Sequence, residues 1–389
     1  MQNEKVDFFV SCAPGIEPYL VDECRHLGFS IPTTPDHPEQ SRVLPEEERG
    51  GILIKGKLQD VYRGNLHLRT ASRISVRLGH FLAITFSELR KKASLLPWEN
   101  YLKPGTGINI HVTCHKSRLY HTDAVAERML GAINDHFSSS NKVNKPCTTD
   151  KSGQLIQVRL VNDQCTVSID SSGELLHKRG YRQAVAKAPL RETLAAALLL
   201  ASGWDQETPL LDPFCGSGTI PIEAALLSAR IPPGIGRDFA FMNWPGFQRE
   251  TWMSILEDAQ ANIRVSNVPI CGYDRDSGAI QMSTANAARA GQLNRILFKQ
   301  QAISELLPLE TPGWIVTNPP YGNRVSQNKD LRDLYARFGS ILSASFNGWK
   351  VGILCNERQL IGNLRLGEPA GSLRLTNGGI PVFYNTYSL

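Results

Sequence analysis

Pro209-Leu210-Leu211-Asp212-Pro213-Phe214-Cys215-Gly216-Ser217-Gly218-Thr219 reads as a short apolar strand that runs into a glycine turn. Helical character follows from Thr219 to Ser228, so the unit is strand, tight turn, helix. Two glycines one residue apart let a backbone turn sharply and come close to a ligand. The helix N-terminus beyond them offers unpaired N–H groups. The turn matches neither GxGxxG nor GxxxxGK[ST], which disfavours a dinucleotide fingerprint and a phosphate loop. Asp212, opening the loop, would repel a phosphate. It would favour a ligand with a cationic ammonium group, such as the methionine end of S-adenosylmethionine. On that reading Asp212, Pro213, Cys215, Gly216, Gly218 and Thr219 are cofactor contacts. Many tight turns that bind nothing also carry two such glycines, and Cys215 reads as packing rather than as a nucleophile.

On either side of this turn strands alternate with helices. An Ala/Leu helix begins near Leu190, a strand spans Ile270 to Tyr273, a helix Gly278 to Ala290 and a strand Gly313 to Thr317. Such alternation implies a parallel, doubly wound α/β sheet. Gly272-Tyr273-Asp274-Arg275-Asp276 closes the second strand, where an acidic side chain can accept from ribose hydroxyls. Asp274 is the better candidate. Asp276 is the runner-up, and more readily a cap for the helix starting near Ser277.

Asn318-Pro319-Pro320-Tyr321 follows the last of these strands. An exocyclic base amine is a poor nucleophile because its lone pair is delocalised into the ring. The Asn318 side-chain oxygen and the Pro319 carbonyl can both accept from such an amine and aim its lone pair at an electrophile. Pro319 and Pro320 keep the loop extended, and Tyr321 offers a flat face for a base. These four residues are the catalytic candidates.

The 389 residues suffice for two or three domains. In the front half, strands are expected at Val6–Cys12, Gly51–Leu58 and His80–Thr85, with helices over Ile16–Leu27 and Val61–Leu78. The second of these helices would carry Arg63, Arg69, Arg73 and Arg77. Ser30 to Gly51 reads as an exposed loop. A strand at Ile108–Cys114, a helix near Thr122–Phe137 and a hairpin around Asn162-Asp163 complete an α+β section. Residues 60–180 hold 17 Lys and Arg against 10 Asp and Glu, whereas the whole chain has a net charge of only +5. A basic middle section suits a polyanion, although an ordinary solvated surface reads the same way.

Several chemistries are disfavoured. All nine histidines lie at or before His177, so the α/β half has none for a Ser-His-Asp triad. No CxxC occurs among the eight cysteines, and His111, His115 and His121 lack the carboxylate pattern of a zinc site, so no metal is expected. No apolar run reaches membrane-spanning length and no secretory leader is evident, which points to the cytoplasm.

The chain resembles bacterial THUMP-domain RNA methyltransferases, within them the guanine-N2 methyltransferases of 23S ribosomal RNA. The resemblance rests on Ser11-Cys12-Ala13-Pro14-Gly15-Ile16-Glu17, Leu176-His177-Lys178-Arg179-Gly180-Tyr181-Arg182 and Ala188-Pro189-Leu190-Arg191-Glu192-Thr193-Leu194-Ala195-Ala196. Ser202-Gly203-Trp204, the glycine turn, Asn318 to Gly322 and Leu375-Thr376-Asn377-Gly378-Gly379 extend it. It implies a ferredoxin-like part over residues 1–65, a THUMP RNA-binding domain over 66–170 and a class I methyltransferase domain over 171–389. It further implies S-adenosylmethionine as cofactor, 23S ribosomal RNA as partner, and a cofactor site in which Asp274 holds the ribose and Asn318 to Tyr321 hold the guanine amine. Relatives usually place an Asp after the third strand; here Gln301 stands in that region and could accept through its amide oxygen. The arginine-bearing helix, with Lys116, Arg118, Lys178, Arg179 and Arg182, would contact phosphates. Some relatives carry a second, fused methyltransferase half; its lack here implies a single activity. Removal of residues 1–170 is expected to abolish action on RNA and spare cofactor binding.

Overall fold

The computed structural model describes residues 5–31, 50–139, 146–183, 190–321 and 328–389. Most of the loop expected between Ser30 and Gly51 lies outside them. In the front half the elements are β1 (Lys5–Cys12), α1 (Glu17–His26), β2 (Gly51–Lys57), α2 (Leu58–His67), β3 (Ala71–Leu82) and α3 (Phe86–Ala93). β4 (Gly107–His115), α4 (Thr122–Ser139), β5 (Thr148–Thr149), β6 (Gln154–Val161) and β7 (Gln164–Asp170) follow. The strands form one sheet in the order β2-β1-β3-β7-β6-β4-β5. β3 pairs with β1 through its first half and with β7 through its second, so one strand serves both sides. The expected boundary at residues 65–66 falls inside α2. The β6–β7 hairpin turns on Asn162 and Asp163, both at positive φ (50° and 64°), as a two-residue loop of the right twist requires.

The helix expected over Val61–Leu78 is not formed. α2 ends at His67, and Ala71 onward is strand. The Glu23 carboxylate, from α1, accepts the N–H groups of Arg69 (2.7 Å) and Thr70 (2.9 Å), which ends the helix by a contact remote in sequence. Beyond it the β-branched Ile74 and Val76 bury into the sheet. The four arginines therefore do not line one helix face.

The second half contains α5 (Glu192–Ser202), β8 (Leu210–Asp212), α6 (Thr219–Ser228), α7 (Arg249–Ala261), β9 (Ile270–Asp274), α8 (Ser277–Arg289) and β10 (Ile296–Gln300). β11 (Trp314–Thr317), α9 (Asn328–Ser345), β12 (Lys350–Cys355), α10 (Arg358–Asn363), β13 (Gly371–Asn377) and β14 (Ile380–Ser388) complete it. Its sheet runs β10-β9-β8-β11-β12-β14-β13. β8 to β12 are parallel and β14 joins antiparallel. Strand order reverses between β8 and β11, where sheets of this class bind ligands at the carboxyl ends of the strands.

The two halves are packed face to face. Tyr62 of α2 stacks on Phe241 at 4.4 Å, with Phe247 and Trp252 edge-on to it. Its hydroxyl accepts from the Gln248 N–H (3.2 Å), and Trp244 donates to the Gln154 side chain (3.1 Å). Gly234 lies so close to α2 that a Cβ there would sit 2.6 Å from the Asn65 carbonyl oxygen. The buried Arg69 donates to the carbonyls of Leu226 and Ile231, at the end of α6.

Candidate active site

The turns after β8, β9 and β11 meet at the switch point. Thr317, the last residue of β11, donates its hydroxyl to Asp212 at 2.6 Å and so fastens the glycine turn to the Asn318 loop. Asp212 also accepts the Phe214 N–H (3.2 Å) and is 1% exposed. Burial pushes its carboxyl up to about 7, against the pull of the Thr317 and Phe214 hydrogen bonds and with a push from Asp274. Thr317 was not singled out from the sequence, because its partner lies 105 positions away.

Asp274 braces the same turn from β9. One carboxylate oxygen accepts the Gly216 N–H (3.0 Å) and the other the Asp276 N–H (3.0 Å). Asp276 accepts from Gly278 (2.8 Å) and caps α8. From α8 the buried Asn286 donates to the Ser217 carbonyl (2.9 Å). Gly216 and Gly218 both have positive φ, 52° and 81°. Around a Cβ built at Gly216 there is no atom within 4 Å, whereas one at Gly218 would sit 2.8 Å from the Ser283 Cβ. Gly216 therefore leaves room for a ligand, and Gly218 lets α6 pack on α8. The Cys215 thiol is raised well above its ordinary range, chiefly by burial, which leaves it protonated and packed.

These turns enclose a cavity of ≈ 640 Å³. Asp212, Pro213, Cys215, Gly216, Thr219, Asp274, Asp276, Gln301, Asn318 and Pro320 line it; Gly218, Pro319 and Tyr321 do not. Further wall comes from Phe214, Ile303, Leu334 and Arg337, which sequence reading passed over. The Gln301 backbone N–H donates to the Asp274 carbonyl (2.9 Å) and its amide nitrogen to the Glu305 carbonyl (2.8 Å), so both of its N–H groups engaged here are donors to backbone. At the other end the Asn318 side-chain oxygen is buried without a hydrogen-bond partner among the described residues. Tyr321 is 3% exposed and its hydroxyl receives the Asn377 amide (3.3 Å). Its ring is packed and offers no open face to a base. Asn377 belongs to the β13–β14 hairpin, whose loop residues Gly378 and Gly379 both have positive φ.

The expected phosphate contacts divide. Arg69 and Arg179 are buried, Arg73 pairs with Asp170, and Arg182 pairs with Glu192 at 2.7 Å, so these serve the interior. The Lys178 side chain is 54% and that of Arg118 71% exposed. Among the described residues no group of three or more His, Cys, Asp or Glu could hold a metal ion, and no helix is long and apolar enough to cross a membrane.

Three family models match the chain: a ferredoxin-like domain of the RlmL type over residues 7–75, a THUMP domain over 83–170 and an RMKL-like methyltransferase domain over 179–371. The ribosomal RNA large subunit methyltransferase K/L of Methylococcus capsulatus is 34% identical over 96% of this chain, which spans 50% of that protein. A Synechocystis sp. protein with a provisional RNA methyltransferase designation, slr0064, is 31% identical, covering 98% of this chain and 96% of its own. The methyltransferase-class protein SMU.472, solved with S-adenosylhomocysteine, superposes with a TM-score of 0.88 at 29% identity, over 99% of this chain and 98% of its own. The cavity fits the cofactor of that class: a buried carboxylate for an ammonium and a bare Gly216 beside it. The cofactor is S-adenosylmethionine. Ferredoxin-like, THUMP and methyltransferase parts in one chain, with an RNA methyltransferase relative 31% identical and matched over 96% of its length, show that this protein belongs to the THUMP-domain RNA methyltransferases.

Proposed function

We propose that the protein methylates the exocyclic N2 amine of a guanine in 23S ribosomal RNA. The observation that carries this reading is the Asn318 side-chain oxygen, buried at the cavity wall with no partner among the described residues. Such an acceptor is costly to leave unpaired, and a base amine completes it. S-adenosylmethionine supplies an electrophilic methyl group when bound. Asn318 accepts from the amine and orients its lone pair. Pro320 shapes the wall, held through its carbonyl by the Tyr335 hydroxyl (3.4 Å). No strong base is required, since the nitrogen becomes acidic once alkylated.

In the same reading residues 1–65 and 66–170 grip RNA and residues 171–389 perform the chemistry. The chain spans half of the M. capsulatus protein, and that protein's name supports the ribosomal substrate. The test is methyl incorporation from labelled S-adenosylmethionine into undermethylated 23S ribosomal RNA and bulk tRNA, followed by nucleoside analysis. N2-methylguanosine in the ribosomal RNA alone is the expected result. Label in tRNA, or as N6-methyladenosine, would keep the chemistry and overturn the substrate. No label in either would replace catalysis with an RNA-binding or assembly role.

A further inference from the structure

Asn318 is not the only side-chain amide at this edge of the sheet whose oxygen is buried without a partner. Among the described residues Asn356 has the same property. It follows Cys355, the last residue of β12, the parallel neighbour of β11. The last rung of that ladder pairs Thr317 with Ile353; Pro320 and Asn356 each stand three residues beyond it, and Asn356 is not among the residues lining the cavity described above. Neighbouring strands lie about 5 Å apart. The Tyr335 hydroxyl touches both ends, at 3.4 Å from the Pro320 carbonyl oxygen and 3.5 Å from the Cys355 Sγ. The Cys355 Sγ in turn accepts the Glu357 N–H (3.4 Å), which pins the turn that carries Asn356. Asn356 is half-buried and outside the hydrophobic core, so packing does not account for an amide there.

Two acceptors on adjacent strand ends match one base better than the other. Beside its exocyclic amine guanine presents a second donor, the ring N1–H. Adenine presents an acceptor at the equivalent ring nitrogen. Buried polar groups in native proteins find partners, and recognition of unstacked bases in RNA reads such edges. We propose that Asn356 selects guanine, its side-chain oxygen accepting the N1–H of the target base while Asn318 takes the neighbouring amine. This rests on the guanine-N2 reading above. Asn356 is a specificity residue in this scheme, and neither the cofactor nor the methyl group touches it.

The test uses the full chain and RNA carrying either guanine or 2-aminopurine at the methylated position. The analogue keeps the 2-amine and lacks the N1–H. Wild-type protein should prefer guanine by at least about 30-fold in kcat/KM, since sites built around a donor reject analogues without it. Asn356→Leu, close in volume and without an acceptor, should narrow that preference to within about threefold. Asn356→Asp, which still accepts, should keep it. Binding of S-adenosylhomocysteine should be unchanged in both variants and reports that they are folded. An unaltered preference in Asn356→Leu overturns the role of Asn356 alone, as does a preference lost equally in Asn356→Asp. A wild-type protein that methylates only adenine overturns this role and the guanine reading together.

Discussion

Asp212 combines two tasks that pull its proton in opposite directions. Burial holds its carboxyl near 7 without a ligand, and a cationic ammonium beside it would favour the charged form. Cofactor binding should therefore release a proton below that point. Affinity for S-adenosylhomocysteine is expected to rise with pH up to about 7 and then level off, by at most about tenfold per pH unit. Titration calorimetry from pH 5.5 to 8.5 checks this, and Asp212→Asn should flatten the curve. A slope that survives in Asp212→Asn would move the effect to another group, such as Glu192, also pushed up to about 7 by burial. Stability of the ligand-free protein should trend the other way. A carboxyl raised on folding stabilises fully below its unfolded value of about 3.9, and that contribution is lost as pH rises through 7. Asn318 has a different signature. Asn318→Ala should lower turnover on the order of 100-fold and leave cofactor affinity within about threefold, since it removes a contact to the reacting amine. Equal loss in both would place Asn318 on the cofactor instead. The cap at Asp276 and the place of Asp212 and Asn318 in the cavity wall were legible in the sequence because each stands next to the strand end or helix start that identifies it. Tyr321 was not, because its partner Asn377 lies 56 residues on and turns the ring inward.

The turn between β8 and α6 shows how one motif holds two unlike glycines. At Gly218 an added Cβ meets Ser283 and Phe298, and φ is 81°. Gly218→Ala should lose roughly 1–2 kcal/mol to backbone strain and a further ~1–3 kcal/mol to overpacking. At Gly216 the space around the added atom is open and φ is 52°. There only the strain is expected, about 1 kcal/mol, while the methyl intrudes on the cavity. Thermal melting should thus fall further for Gly218→Ala, and ligand affinity relative to stability should fall further for Gly216→Ala. The reverse ranking would mean that the turn rearranges around its ligand. Sequence periodicity found this strand-turn-helix unit because its cues are contiguous. It misread residues 61–78 because the signal that stops α2 is the Glu23 carboxylate, which binds Arg69 and Thr70 from 46 and 47 residues away. A run with arginines every few positions looks helical until that contact is known. The β-branched Ile74 and Val76 were the local warning.

The two halves meet in a shared core. Tyr62 lies under Phe241, Phe247 and Trp252, and α2 rests on Gly234. Arg69 reaches the end of α6, the helix whose other end follows the glycine turn at the cavity. None of this was legible in the sequence, where Phe239, Phe241, Trp244 and Phe247 sit in a stretch ahead of α7 with no periodicity to assign them a partner. It changes the outcome expected from cutting the chain. Reading the sequence alone, residues 171–389 should keep cofactor binding when residues 1–170 are removed. The structure argues that this cut strips the cover from Phe241, Trp244 and Trp252 at once, and truncating one such aromatic to Ala typically costs about 3–5 kcal/mol. A domain of ordinary stability, about 5–15 kcal/mol, has little margin for that. The isolated fragment 171–389 should self-associate and bind S-adenosylhomocysteine poorly, and co-expression with residues 1–170 should restore both solubility and binding. Size-exclusion chromatography with calorimetry reads the two together. A monomeric fragment with full ligand affinity would show that the halves are docked loosely, and the RNA-gripping section could then move against the catalytic domain. Tyr62→Ala separates these cases in the intact chain. With a shared core it lowers the melting temperature of one cooperative transition; with loose docking it leaves the transition of the catalytic half in place.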